Sequence, residues 1–240
     1  MRNIAALIGI QSLIGVHPIR WFALRRNGGA ACGALWWCHI LRIVARSVRA
    51  IDSAMNVKTN PGLRVRASRG SDVDAILQIY AQEVCTGTAS FELVAPGREE
   101  MAARHESLVT AGYPYLVAEL GDVFAGYAYA GPYRTRPAYR FTVENSVYVA
   151  RSARERGVGL QLLNTLIADC EAARFRQMVA IIGDSRHAAS IRLHSKAGFQ
   201  LVGTIQNVGF KFGDWLDSVL MQRALGEGAD TLPTEPMHDT

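Results

Sequence analysis

Six consecutive residues, Arg154-Glu155-Arg156-Gly157-Val158-Gly159, have the spacing most suited to chemistry. They follow an apolar run, Ser146-Val-Tyr-Val-Ala150, and open a stretch that puts Leu162, Leu163, Leu166, Ile167 and Cys170 on one helical face. A strand that runs through glycines into a helix makes an anion site. The first amides of a helix have no intrahelical partner, and the helix dipole adds partial positive charge there. Glycines let backbone approach a diphosphate with no Cβ in the way, and two arginines add charge that can reach it. The string is neither GxGxxG nor a Gly-Lys-Ser/Thr loop, so it is not a dinucleotide fingerprint or a P-loop. The competing reading is a helix start whose glycines serve a close backbone contact.

Glu144 lies in the mostly apolar run Phe141 to Val149. An acid inside such a strand needs a partner or a task. The task could be general-base catalysis, because an amine is protonated at neutral pH and cannot attack until it loses a proton. Period two puts Glu144 with Ser146 and Tyr148, opposite the valines, so pairing with Arg140 on a solvent face is the alternative. Arg134, Arg136 and Arg140 suit an acceptor that carries a carboxylate or phosphinate, or else a solvated loop. His194 reads either as an acid or as a structural histidine.

Regular elements must position these groups. Leu63 to Ala67 alternates apolar and basic residues, as a strand does. Ser71-Asp72-Val73-Asp74 can cap a helix that continues through Val84, and Pro96-Gly97 opens another over Arg98 to Thr110. Strands are expected over Tyr115–Leu120, Phe124–Tyr133 and Phe141–Val149, with Gly121-Asp122 as a turn. A loop and helix then span Ala153 to Ala173, a short buried strand Gln177–Ile182, and a helix Ala188–Lys196 closed by Gly198. Leu201–Phe210 and Leu216–Gln222 are the last strands. This order implies an α/β fold, a three-layer mixed sheet with helices on both faces. The domain runs over residues 63–225, and 226–240 reads as a disordered tail.

Residues 1–56 read as an N-terminal extension and not as a domain. The chain of 240 residues has a net charge of +5, yet Met1 to Ile51 holds seven arginines and no acid. The remaining chain is slightly acidic, so the basic balance gives no case for nucleic-acid binding. Ile4 to Val16 is too short to span a bilayer, and bulky residues follow where a signal peptidase wants small ones. An organelle transit peptide, or translation that starts at Met55, are the remaining readings. Cys32, Cys38, Cys85 and Cys170 form no CxxC pair, and Cys32 and Cys38 with His39 fit no common zinc spacing, so no metal is expected. Few, scattered cysteines suit a reducing cytoplasm.

The loop Arg154–Gly159 after Val-Tyr-Val resembles the pyrophosphate loop of the GNAT acetyltransferases. Ser190-Ile-Arg-Leu-His-Ser-Lys-Ala-Gly-Phe199 resembles their second acetyl-CoA motif. Tyr127-Ala-Tyr-Ala-Gly-Pro-Tyr133, Arg136, Tyr139, Thr142-Val-Glu-Asn-Ser-Val-Tyr-Val149 and Gly209-Phe-Lys-Phe-Gly-Asp-Trp215 resemble the phosphinothricin and methionine-sulfone branch. The resemblance covers about Leu63 to Arg223. It implies a splayed sheet with acetyl-CoA in the gap between two strands. The amides of Val147 and Val149, beside Tyr148, would bind the pantetheine arm and acetyl carbonyl, and Arg154 to Gly159 the diphosphate. It further implies Glu144 as base, His194 as acid, His187 at a cofactor contact where Asn is usual, and Phe91, Arg136 and Tyr139 around the acceptor.

The activity so implied is acetyl transfer to the amine of a small acidic amino-acid-like molecule, in a protein with no nucleic-acid or membrane partner that could be a homodimer. A protein N-acetyltransferase and a non-catalytic acyl-CoA-binding module are the alternatives. Fold alone would not choose among them.

Overall fold

The computed structural model describes residues 62–233. The extension over residues 1–56, with Cys32, Cys38 and His39, lies outside the described residues, as does the tail from 234 onward. The described residues form seven strands and four α-helices. They are β1 (Leu63–Ala67), α1 (Val73–Thr86), α2 (Arg98–Thr110), β2 (Tyr115–Leu120), β3 (Val123–Pro132) and β4 (Thr142–Val149). After them come α3 (Val158–Ala172), β5 (Gln177–Gly183), α4 (Ala188–Lys196), β6 (Gln200–Lys211) and β7 (Asp214–Ala224). The strands form one sheet in the order β1-β2-β3-β4-β5-β7-β6. Neighbours are antiparallel except β4 and β5, which run parallel.

The three layers follow from two apolar clusters on opposite faces of this sheet. On one face α3 lays Val158, Leu162, Leu163, Leu166, Ile167 and Cys170 across β1 to β4, all of them buried. Burying a side chain of this size contributes roughly 1.5–3 kcal/mol, so this single stripe is a large share of the drive to fold. On the other face Val73, Ile76, Ile79, Tyr80 and Val84 of α1 pack with Met101 of α2 on Tyr115, Val117 and Tyr127. Period two explains the split: Leu116 and Ala118 belong to the first cluster, and Tyr115 and Val117 to the second.

Three local features differ from expectation. Asp72 does not cap α1 with its side chain. Its carboxylate instead accepts bonds from Arg66 at 2.8 and 2.9 Å and from the Arg69 amide at 2.7 Å, which folds Gly70–Asp72 into a 3-10 turn. A two-pronged guanidinium holds a carboxylate more strongly than a helix amide does. Between β4 and α3, Arg151–Ala153 forms a further 3-10 turn within the expected loop. The tail is not free over residues 226–233: Arg176 donates to the Thr231 hydroxyl at 2.5 Å and lies 3.6 Å from Glu227. No helix among the described residues is long and apolar enough to cross a membrane.

Candidate active site

The sheet opens between β4 and β5. Their parallel ladder pairs Thr142 with Gln177 through Asn145 with Ala180, and stops there. Beyond that point Ser146–Val149 stays with β3 while Ile181–Gly183 stays with β7. Backbone groups alternate sides along a strand. The Ala150 amide donates to Ala125, and the Thr142 carbonyl accepts from Tyr133, so these even-numbered positions face β3. Val147 and Val149 therefore turn their amides toward the gap that β5 has left. A cavity of about 70 Å³ fills the fork, walled by Asn145–Tyr148, Ala180–Gly183, Ala89, and the His187, Ser190 and His194 side of α4.

The loop from Arg154 to Gly159 lies at the far end of β4. Residues 154–157 are exposed, and Glu155 and Gly157 are both left-handed, with φ of 62° and 83°. Gly157 is the N-cap of α3, so the first free amides of that helix open onto this turn. The two glycines have different reasons. A Cβ on Gly157 would meet nothing, and what calls for glycine is the positive φ. A Cβ on Gly159 would point inward, 3.3 Å from Val149 and 3.4 Å from Leu193. Gly159 thus lets α3 approach β4 and α4, and does not clear space for a phosphate.

Arg154 also differs from expectation. Its guanidinium is 2.5 Å from the Glu83 carboxylate, which is nearly buried on α1, and 3.4 Å from the Val149 carbonyl. Arg156 is exposed and makes no ion pair among the described residues, so it is the arginine of this loop left for an incoming anion. Arg151, outside the motif, donates to the Thr86 hydroxyl at the end of α1.

Glu144 is half-buried on β4, between Gly131 of β3 and Val179 of β5. Burial pushes its carboxyl above the usual carboxylate range, and the charge of Arg134 opposes that shift in part. Arg140 does not pair with it: its guanidinium lies over the Phe141 ring at 4.6 Å and donates to the Pro137 carbonyl. A carboxyl raised above the ordinary carboxylate range holds a proton more readily than a solvated one, as suits a general base.

His194 is 4% exposed, on the opposite face of the sheet. Its Nδ1 is 2.9 Å from the Ser190 carbonyl and its Nε2 3.0 Å from Asn145 Oδ1. Asn145 in turn donates to the Val179 carbonyl at 3.1 Å, which sets the direction of its amide. Both ring nitrogens therefore face oxygen acceptors, an arrangement that favours the doubly protonated ring. Burial pulls the other way and lowers the histidine's pKa, with the Ser190 carbonyl acting against it. Glu144 and Asn145 are neighbours in sequence, so Glu144 faces α1 and α2 while Asn145 and His194 face α3 and α4.

The acceptor residues suggested by the sequence are not brought together. Phe91 lodges against Gly183 and Gly209, at the open end of the fork. Arg136 and Tyr139 lie in the β3–β4 loop, where Arg136 precedes a 3-10 turn and Tyr139 meets the edge of Tyr133 at 5.6 Å. His187 precedes α4 and lines the cavity. Sequence reasoning missed Asn145 and Glu83. Glu83 was detectable as an acid on the buried face set by Ile76, Tyr80 and Val84. Asn145 had no such signal, because one polar residue in a strand does not reveal its partner.

A forked parallel pair, amides turned into the fork and a helix N-terminus at its mouth together make a site for an acyl thioester with a diphosphate tail. The family model of the acetyltransferase (GNAT) domain matches residues 65–220. The chain belongs to the GNAT acetyltransferases. Within this family it is 54% identical to a phosphinothricin N-acetyltransferase of Alcaligenes faecalis, over 70% of this chain and 86% of that protein. It is 38% identical to an L-methionine sulfoximine/L-methionine sulfone acetyltransferase of Salmonella typhimurium, over 70% and 97%. A phosphinothricin acetyltransferase from Sinorhizobium meliloti, solved in complex with AcCoA, superposes with a TM-score of 0.70 at 44% identity, covering 72% of this chain and 94% of that one. Like these GNAT relatives, the protein is an acetyl-CoA-dependent N-acetyltransferase with an α/β fold.

Proposed function

We propose that the acceptor is a small amino acid with an acidic or sulfone-like side group, of the phosphinothricin and methionine sulfone/sulfoximine type, and that it approaches from the α1–α2 face. The observation that carries this reading is the placement of Glu144. It is the half-buried carboxyl on that face of β4, at the end of the closed ladder, three residues before the first fork-facing amide at Val147. Acetyl-CoA lies along the α3–α4 side of the fork. Val147 and Val149 donate to the pantetheine arm and acetyl carbonyl, and the free amides from Gly157 onward, with Arg156, meet the diphosphate. The amine gives its proton to Glu144, directly or through a water, and its nitrogen bonds the acetyl carbon as the carbon–sulfur bond of the thioester breaks. The CoA sulfur leaves as thiolate and takes up the second proton, which the nitrogen releases as it becomes the amide. His194 serves this end of the fork, with its ring held by Ser190 and Asn145. His187 completes the cofactor wall and Phe91 the acceptor wall, and Arg136 and Tyr139 reach toward the acceptor from the separate β3–β4 loop.

Screening acetyl-CoA consumption against phosphinothricin, methionine sulfone, methionine sulfoximine, simple amino acids, polyamines and an N-terminal peptide tests the acceptor class. Turnover of the peptide alone would refute the small-molecule reading, and absence of turnover with every amine would favour a binding module.

A further inference from the structure

Lys211 ends β6 and is 3% exposed, yet its ammonium meets no carboxylate at ion-pair distance among the described residues. Its Nζ donates instead to two backbone carbonyls, Gly87 at 3.0 Å and Ser90 at 2.7 Å, and lies 5.0 Å from the centre of the Phe212 ring. A buried cation satisfied only by neutral dipoles is expensive, and an apolar side chain of equal length would avoid the desolvation. Desolvation is indeed what lowers its pKa, with Cys85, Glu83 and Glu92 acting against it.

Both carbonyls belong to the turn between α1 and Phe91. Ala89, between them, lines the fork cavity. The Ser90 hydroxyl is 3.0 Å from that of Tyr80, and the Tyr80 ring stands edge-on to Tyr148 of β4. β6 holds this turn with a second residue on the same face: a Cβ on Gly209 would lie 2.4 Å from the Phe91 ring. Gly183 of β5 does the same, since its Cβ would lie 2.4 Å from the Thr88 carbonyl. The turn is therefore wedged into a slot made by two glycines and fastened by one lysine. It follows α1, so it covers the fork from the face that carries Glu144, whereas the anion-binding end of α3 lies on the other face.

We propose that Lys211 is a positioning residue for the acceptor: by holding the Gly87 and Ser90 carbonyls it fixes the wall of the fork against which the amine-bearing molecule is aligned. The inference rests on the acceptor entering from the α1–α2 face.

The test is steady-state kinetics of the full chain and of Lys211→Met, with whichever amine the wild type acetylates fastest. Loss of two charge-assisted bonds to one turn should raise the KM for the amine roughly tenfold or more. The KM for acetyl-CoA and the affinity for CoA should stay within about twofold, and the melting temperature should not fall, because the unpaired buried charge has gone. Gly209→Ala displaces the same turn by a different route and should give the same split. An unchanged KM for the amine in Lys211→Met, in protein that melts as the wild type does, would overturn the proposal. So would a rise in both KM values together with a lower melting temperature, which would mark Lys211 as scaffold. If the best amine has neither an acidic nor a sulfone-like side group, the acceptor class proposed above fails, while this comparison still runs on that amine.

Discussion

The guanidinium of Arg154 and the carboxylate of Glu83, 2.5 Å apart, tie the loop at the mouth of the fork to the helix that leads into the acceptor-side turn. Arg154 thereby holds the loop in shape, and in the proposed binding mode Arg156 is the arginine that meets phosphate. Arg156→Ala should weaken CoA binding about tenfold by calorimetry with no change in melting temperature. Arg154→Ala should lower the melting temperature as well, because it strands a nearly buried carboxylate. Since Arg154 itself is half-exposed, that loss should be about 1 kcal/mol and not the several of a fully buried pair. Equal effects of the two variants on both measurements would contradict this division of labour.

The two glycines of the loop should respond differently. Gly157→Ala forces an alanine to a φ of 83°, which costs on the order of 1–2 kcal/mol and pulls the first α3 amides out of line. CoA affinity should drop about tenfold. Gly159→Ala adds a methyl group against the stiff Val149 side chain and the more mobile end of Leu193. It should leave CoA affinity within about threefold, and its effect should appear in stability.

Glu144→Gln should separate catalysis from folding. As a general base, Glu144 should be worth about 10²–10⁴-fold in turnover, and the deficit should narrow as pH rises and more of the amine is already free. Because burial raises the folded-state pKa of Glu144, the native state binds more protons than the unfolded chain just above the usual carboxylate range. Its ionisation therefore takes stability away as pH rises through that raised value. Removing the charge should raise the melting temperature at pH 7 while turnover collapses. A variant that melts lower and turns over normally would leave the mechanism without its base.

Acid should unfold the protein in two stages. His194 and His105 are both buried with pKa values pushed below the ordinary histidine value. The unfolded chain then takes up protons before the native state does, so stability should begin to fall as pH drops through about 6.5. The loss should be complete once pH passes their depressed folded values. Asp72 and Asp184, held below the usual carboxylate range by Arg66 and Arg186, should add a second loss at lower pH. His194→Asn should flatten the first stage in urea melts taken across this range and leave the second in place, with His105 accounting for what remains of the first.

Arg136→Ala should raise the KM for an acidic amine more than for its amide, since only the former loses a charged partner. Arg134, whose charge acts on Glu144, is the alternative contact, and Arg134→Ala should instead move the acid limb of the pH–rate profile.

Local pattern was enough to place nearly every element. The apolar stripe of α3 and the alternation of β1 are periodicities of adjacent residues, and Arg98–Thr110, Tyr115–Leu120 and Ala188–Lys196 form over the expected spans. The left-handed residue at Gly157 and the close of α4 at Gly198 also follow from residue type, because glycine alone relaxes there without strain. The fork is different. It exists because β4 and β5, more than thirty residues apart in sequence, pair for four residues and then follow different neighbours. Whether Arg154 met a phosphate or Glu83, whether Gly159 cleared a ligand or a helix, and which face received Glu144 as against His194 were decided by contacts across elements. Lys211 shows this most sharply. In sequence it is one cation at a strand end beside aromatic residues, and only the turn folded back over it from residues 87–90 makes it a fastening point, because the acceptors are carbonyls that any residue carries.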